Sequence, residues 1–220
     1  MHQGDKVVQE DRVVGEEIGS QEIVLPFWDS LSEGMLFFEL QALEDSVLFG
    51  FHYSTKDAPV RRVCLGLVIT HFNRPQEVEK TALRFKKELL QGPYYEGKIQ
   101  LIIVDNSRNL PRSLADEKGI AVIPNRNLGG SGGFSRGLIH LHHAGDFTHG
   151  LFMDDDASSE IESIRRTFFY LTYTHEPKLA IAGAMLRAVQ PNMQHENGGR
   201  FDGLCLSLIH ISEPTRLGMI

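Results

Sequence analysis

A chain of 220 residues has room for one large domain, or one domain and part of another. Its 41% hydrophobic and 23% charged residues are those of an ordinary globular protein. A formal charge of −7 argues against a nucleic-acid partner, which calls for a basic face.

No apolar run approaches the roughly 18 residues that span a bilayer, and the first residues lack the apolar core of a signal peptide. Cys64 and Cys205 make neither a disulfide framework nor a zinc site, so a reducing, cytoplasmic setting is the default.

Residues 1 to about 20 are polar and without a clear period. Three short strand-like runs follow, Glu22–Phe27, Met35–Leu40 and Ser46–Tyr53, separated by breaks such as Ser32-Glu33-Gly34 and Glu44-Asp45. So few strands make a thin domain alone, and residues 1–59 read as a partial β module, bounded near Lys56-Asp57-Ala58-Pro59.

From Arg61 strands and helices alternate. Val63–Thr70 is a continuous apolar run, as expected of a parallel strand covered on both faces. Pro75 opens a helix to about Leu90, with Val78, Ala82, Leu83, Phe85 and Leu89 along one side. Ile99–Val104 and Ile120–Ile123 are further strands, and a helix is expected from about Gly133 to His143. Strand Gly150–Met153, a helix from Ser158 or Ser159 through Tyr170, and a fifth strand over Leu179–Leu186 complete the pattern. The order predicts an α/β fold, a mostly parallel sheet flanked by helices.

Ligands of such sheets sit beyond the carboxyl ends of the strands. Four polar clusters fall there: Thr70–Arg74, Asp105-Asn106-Ser107, the glycine-dense Asn127–Gly137, and Asp154-Asp155-Asp156. Three adjacent carboxylates after a buried strand suit a hard divalent cation such as Mg²⁺ or Mn²⁺, though an acidic helix N-terminus would look the same. If the chain stays extended, Asp154 and Asp156 share a face and form the metal pair. The glycine loop fits neither a Walker loop nor the dinucleotide fingerprint. It reads as backbone that a ligand approaches closely, with Arg136 in reach of a phosphate, the alternative being a linker or tight turn. His140, His142 and His143 lack a completed ligand set and read as ordinary histidines, and Cys64 as a buried small hydrophobe.

Taken together, Thr70-His71-Phe72-Asn73-Arg74-Pro75, Val104-Asp105-Asn106, Asn127–Gly137 and Leu151–Asp156 resemble family 2 glycosyltransferases, in particular the galactofuranosyltransferase branch. The likeness covers residues 61 to about 203. It implies a GT-A nucleotide-binding half over residues 60–203 and a UDP-galactofuranose donor, rhamnosyl or another sugar transfer being the alternative within the fold. A non-catalytic nucleotide-binding module is the alternative outside that class.

By that resemblance Thr70 and Arg74 lie along the nucleotide and Asp105 near the uridine. Asn127, Gly129, Gly130, Gly132 and Gly133 line the donor cleft, and Asp154 and Asp156 hold the ribose and Mn²⁺ or Mg²⁺. It further implies inverting transfer to a glycan or lipid-linked acceptor, and with it peripheral association with the inner face of the plasma membrane. The family's base and metal-binding histidine lie further downstream; His195 and Glu196 are too close to the acids to take either role, so no catalytic base is named. Oligomeric state is not legible. The tail over residues 204–220, with Leu206–Arg216 at its centre, resembles translated sequencing-adapter read-through, which implies an artefactual tail that packs poorly and a donor half ending near Gly203.

Overall fold

The computed structural model describes residues 2–3, 6–7, 22–26, 36–37, 39–196, 199–201 and 205–207. The chain divides into two compact units, one from Met1–Lys56 and Ala184–Met219, the other from Asp57–Gly183.

The described N-terminal strands of the first unit are short. β1 (His2–Gln3) pairs antiparallel with β2 (Lys6–Val7) and with β3 (Leu36–Phe37). The strand expected over Ser46–Tyr53 does not form. Val47 and Phe49 are 77% and 82% exposed, and the segment has no ladder partner among the described residues. Apolar character marks a strand only where a neighbour is in place to take its N–H and C=O groups. Glu22–Pro26 is likewise irregular; Phe27, Met35 and Phe38 lie outside the described residues.

The second unit is the α/β domain. Its strands are β4 (Leu65–His71), β5 (Ile99–Asp105), β6 (Ile120–Pro124) and β7 (His149–Asp154). They form one parallel sheet in the order β6-β5-β4-β7. Helix α1 (Pro75–Phe85) runs into a wider π turn over Lys86–Leu90; α2 (Arg112–Ala115), α3 (Gly129–Ala144) and α4 (Ile161–Tyr173) follow. This is the mixed α/β fold expected of residues 60 onward, with the apolar runs at its centre: Leu67, Val68, Leu101, Ile102, Ile103 and Val104 are fully buried.

Strand alternation sends side chains to two faces. Leu65, Leu67 and Ile69 join Val78, Ala82 and Phe85 of α1 and Ile164, Phe168 and Leu171 of α4 in the larger core. On the opposite face Val68, Ile102 and Val104 pack with Leu141 of α3. The helices therefore sandwich the sheet.

The close fit of α3 explains much of the glycine run. A Cβ at Gly133 would lie 2.1 Å from Thr70 Cγ2, and one at Gly137 would lie 2.4 Å from Val68 Cγ1. Leu141, one turn further, occupies the space above Gly66. Four helical residues advance about 6 Å and two strand residues about 6.6 Å, so Gly133, Gly137 and Leu141 stay in step with Thr70, Val68 and Gly66. Small meets large at each level.

The fifth parallel strand expected over Leu179–Leu186 is absent. Instead β8 (Met185–Arg187) pairs antiparallel, through an irregular register, with β9 (Gln190–Glu196) in the first unit. β10 (Gly199–Phe201) pairs antiparallel with β11 (Cys205–Ser207). The rest of the 204–220 tail lies outside the described residues.

Candidate functional site

The strand order reverses beside β4: the chain steps outward to β5 and β6, then returns to place β7 on the other side. A crevice opens at such a switch point beyond the carboxyl ends of the strands. Here it is a cavity of about 370 Å³ lined by Thr70, Phe72, Arg74, Asn106, Asn127, Gly129, Gly130, Asp154 and Asp155.

Thr70 and Asp154 are register partners on β4 and β7, so the last rungs of two strands deliver a hydroxyl and a carboxylate together. Thr70 Oγ1 is buried with no hydrogen-bond partner, and among the described residues no hydrogen bond or ion pair engages the Asp154 carboxylate, although its carbonyl accepts the Ala157 N–H at 3.3 Å. Both are available to a ligand.

The lip of the cavity is the first turn of α3. The helix starts at Gly129, four residues earlier than the sequence suggests, with Gly129 at φ 71°, a backbone region that L side chains seldom adopt. Asn127 Oδ1 accepts the Gly129 N–H at 3.0 Å. The N–H groups of Gly130 and Ser131 have no intrahelical acceptor, and a Cβ at Gly130 would meet nothing within 4 Å. This end of the helix carries partial positive charge and open backbone donors. Gly132 and Gly133 do not line the cavity; they pack on Leu128 and Thr70. Arg136 is exposed and also outside it.

The acids divide differently from the extended-strand expectation. β7 ends at Asp154 and the chain turns at Asp155-Asp156. Alternation stops with the strand, so Asp155 swings inward beside Asp154. Asp155 Oδ2 accepts the Phe72 N–H at 2.9 Å and its Oδ1 accepts Arg74 Nη1 at 2.7 Å. Asp156 is outside the lining, its side chain 61% exposed, and meets Arg74 Nη1 at 2.8 Å. The Asp155 hydrogen bond, followed by the charges of Asp155 and Asp156, holds the Arg74 guanidinium still further above its ordinary pKa. Arg74 is thus a fixed cation on the rim.

Asp105 is 3% exposed and committed to its own loop. Its carboxylate accepts the N–H groups of Ser107 (2.9 Å), Arg108 (2.7 Å) and Leu110 (3.3 Å). Asn106 takes the place on the wall, with its Oδ1 accepting from Asn125 Nδ2 at 2.9 Å.

Sequence reasoning gave no role to Phe72, Asn106, Asp155 or His71. A signal existed for His71: it continues the alternation of Leu65, Leu67 and Ile69 into the core, and it is fully buried. Among the described residues no group of three His, Cys, Asp or Glu side chains is arranged to hold a metal, and no helix is long and apolar enough to cross a membrane.

A parallel sheet that brings a basic side chain, a free carboxylate and an uncapped helix N-terminus to its switch point defines an α/β domain suited to a phosphorylated ligand. No family model matches the chain. It is 32% identical over 189 residues to the galactofuranosyltransferase GlfT2 of Mycobacterium tuberculosis, and 30% identical over 158 residues to that of Mycolicibacterium smegmatis. These alignments take in 80% and 66% of this chain but only 28% and 23% of those proteins. The chain is related by sequence to the galactofuranosyltransferase branch of the glycosyltransferases. Among solved structures, a mannosyltransferase from Pyrobaculum calidifontis in complex with GDP-mannose and Mn²⁺ matches 60% of the chain and 39% of its own, at 14% identity and a TM-score of 0.45, too slight a likeness to carry an argument.

Proposed function

We propose that the Asp57–Gly183 unit is the donor-binding half of a glycosyltransferase, taking a nucleoside diphosphate sugar at the β4–β7 switch point. The observation that carries this reading is the juxtaposition of the Asp154 carboxylate, unpartnered among the described residues, with the orphaned Thr70 hydroxyl and the open first turn of α3. Diphosphate oxygens would accept from the Gly130 and Ser131 N–H groups and from Thr70. Arg74 would add charge at the rim.

The names of the two relatives support galactofuranose as the sugar; UDP-galactofuranose is the donor of this proposal. A glycan or lipid-linked hydroxyl is the acceptor, with inversion at the anomeric carbon and contact with a membrane surface where the acceptor is lipid-linked.

The donor set fits a divalent cation. Asp154 and Asp155 put carboxylate oxygen on one cavity wall, and Mg²⁺ or Mn²⁺ sites often need only one or two protein carboxylates once phosphate oxygens join. Asp154 would hold the cation, Asp155 would stand beside it, and Asp156 would remain with Arg74. Bound there, the cation would neutralise charge on the departing diphosphate.

Titration calorimetry with UDP tests the reading. Binding should require Mn²⁺ or Mg²⁺, vanish with chelator, and weaken at least about tenfold in Asp154→Asn. Binding of equal strength in chelator, or indifference to Asp154→Asn, would overturn it.

A further inference from the structure

His71 is a buried polar group in this region that the donor-site reading leaves unused. It sits at the end of β4 with its side chain fully buried. Nε2 lies 2.8 Å from Asn109 Oδ1, and 3.9 Å from Asp105 Oδ1. Nδ1 has no hydrogen-bond partner and faces Asp155 Oδ2 at 3.6 Å.

With Asn109 Oδ1 toward the ring, an imidazole carrying one proton places it on Nε2 and presents an Nδ1 lone pair to a carboxylate. That pairing is repulsive, and it strands a buried nitrogen. A half-turn of the Asn109 amide reverses the pattern: Nδ2–H donates to Nε2, and the proton moves to Nδ1, where Asp155 can accept it. Nδ1 and Asp155 are then paired by a shift of a few tenths of an ångström, with Asp105 Oδ1 left 3.9 Å from Nε2.

We infer that His71 is a positioning residue: with Asn109 fixing its Nδ1–H tautomer, it holds Asp155 in the orientation that anchors Phe72 and Arg74 at the cavity. The inference rests on the donor-site reading for its functional consequence only. Asp155 Oδ2 already accepts from the Phe72 N–H while Oδ1 takes Arg74, so a carboxylate free to rotate would release both. Asp155 is in this sense the hub between the end of β7 and the β4–α1 loop, and His71 is the side chain beneath it.

Two measurements test this. Nitrogen-15 imidazole spectra of the ligand-free protein distinguish the tautomers, and His71 should show protonated Nδ1 and unprotonated Nε2. The opposite tautomer would overturn the inference whatever the protein binds. The second compares substitutions, because an Asn amide reaches about as far as Nδ1 and a Gln amide about as far as Nε2. His71→Asn keeps a donor for Asp155 and should hold UDP affinity, in the presence of Mn²⁺, within about threefold. His71→Gln restores only the Asn109 contact and should lose about 10- to 100-fold, the range for groups that orient a ligand-binding side chain. Thermal unfolding of both variants shows whether each is folded. Equal affinity in the two, or rescue by Gln and not Asn, would make His71 a packing residue. If the parent chain fails to bind UDP, the donor-site reading falls, while the tautomer and its dependence on Asn109→Leu still decide the contact itself.

Discussion

Replacing Gly137 with alanine sets two effects of known sign against each other. In the middle of α3 alanine is favoured over glycine by about 1 kcal/mol in helix propensity. Against this, the new methyl would lie 2.4 Å from Val68 Cγ1, about 1.1 Å inside the closest comfortable carbon–carbon separation. Val68 is fully buried on β4, with β5 on one side and β7 on the other, so it cannot retreat. Overpacking of this kind costs about 1–3 kcal/mol, and the immobile neighbour puts Gly137 near the top of the range. Net destabilisation of about 2 kcal/mol is expected, read as a lower urea midpoint of the far-ultraviolet dichroism at unchanged slope. Val68→Ala alone should cost a comparable amount by leaving a cavity. Combined, the two should be better than additive by at least about 1 kcal/mol, since the added methyl occupies the volume the removed ones leave. Gly130→Ala, with nothing within 4 Å of its Cβ, should stay within about 0.5 kcal/mol of the parent. A Gly137→Ala protein as stable as the parent, or strict additivity with Val68→Ala, would refute the account of how α3 meets the sheet.

Asp105→Ala should cost about 3 kcal/mol or more, since three backbone N–H groups lose a charged acceptor, and hydrogen exchange at Ser107, Arg108 and Leu110 should rise. Arg74→Ala should shift the unfolding midpoint little, because the side chain is 47% exposed, yet weaken UDP binding about tenfold in calorimetry. Burial first, and then the Arg61 charge, lower the His149 pKa, so the unfolded chain binds its proton at higher pH than the folded one does. Stability from this group is present above the ordinary histidine pKa and is lost as pH falls below it. His149→Gln should flatten that part of the pH–stability curve, and an unchanged slope there would contradict the assignment.

The parallel strands were legible because β4 and β5 are continuous apolar runs, which only burial on both faces explains. That the clusters Thr70–Arg74, Asp105–Ser107, Asn127–Gly137 and Asp154–Asp156 lie at one sheet edge followed from strand ends; which of their residues line the cavity did not. What could not be read depended on geometry between elements. Gly133 and Gly137 fall within the expected helix, but only the matched advance of α3 against β4 shows them to be its contact points with the sheet. The acids share the cavity differently from the extended-strand expectation because alternation was carried two residues past the end of β7, where the turn brings Asp155 inward. Ser46–Tyr53 and Leu179–Leu186 share the apolar content of true strands. Pairing, not composition, separates them from β4.

The strand order has a thermodynamic consequence for any study of this chain. Each wall of the cavity comes from a different crossover: residues 70–74, 106, 127–130 and 154–155 meet only when β4, β5, α3 and β7 are all docked. No partly folded form can present the site, so ligand and fold are linked as one equilibrium. A ligand at a hundred times its dissociation constant should raise the unfolding free energy of the α/β unit by about 2.7 kcal/mol. A melting curve is then a quantitative titration.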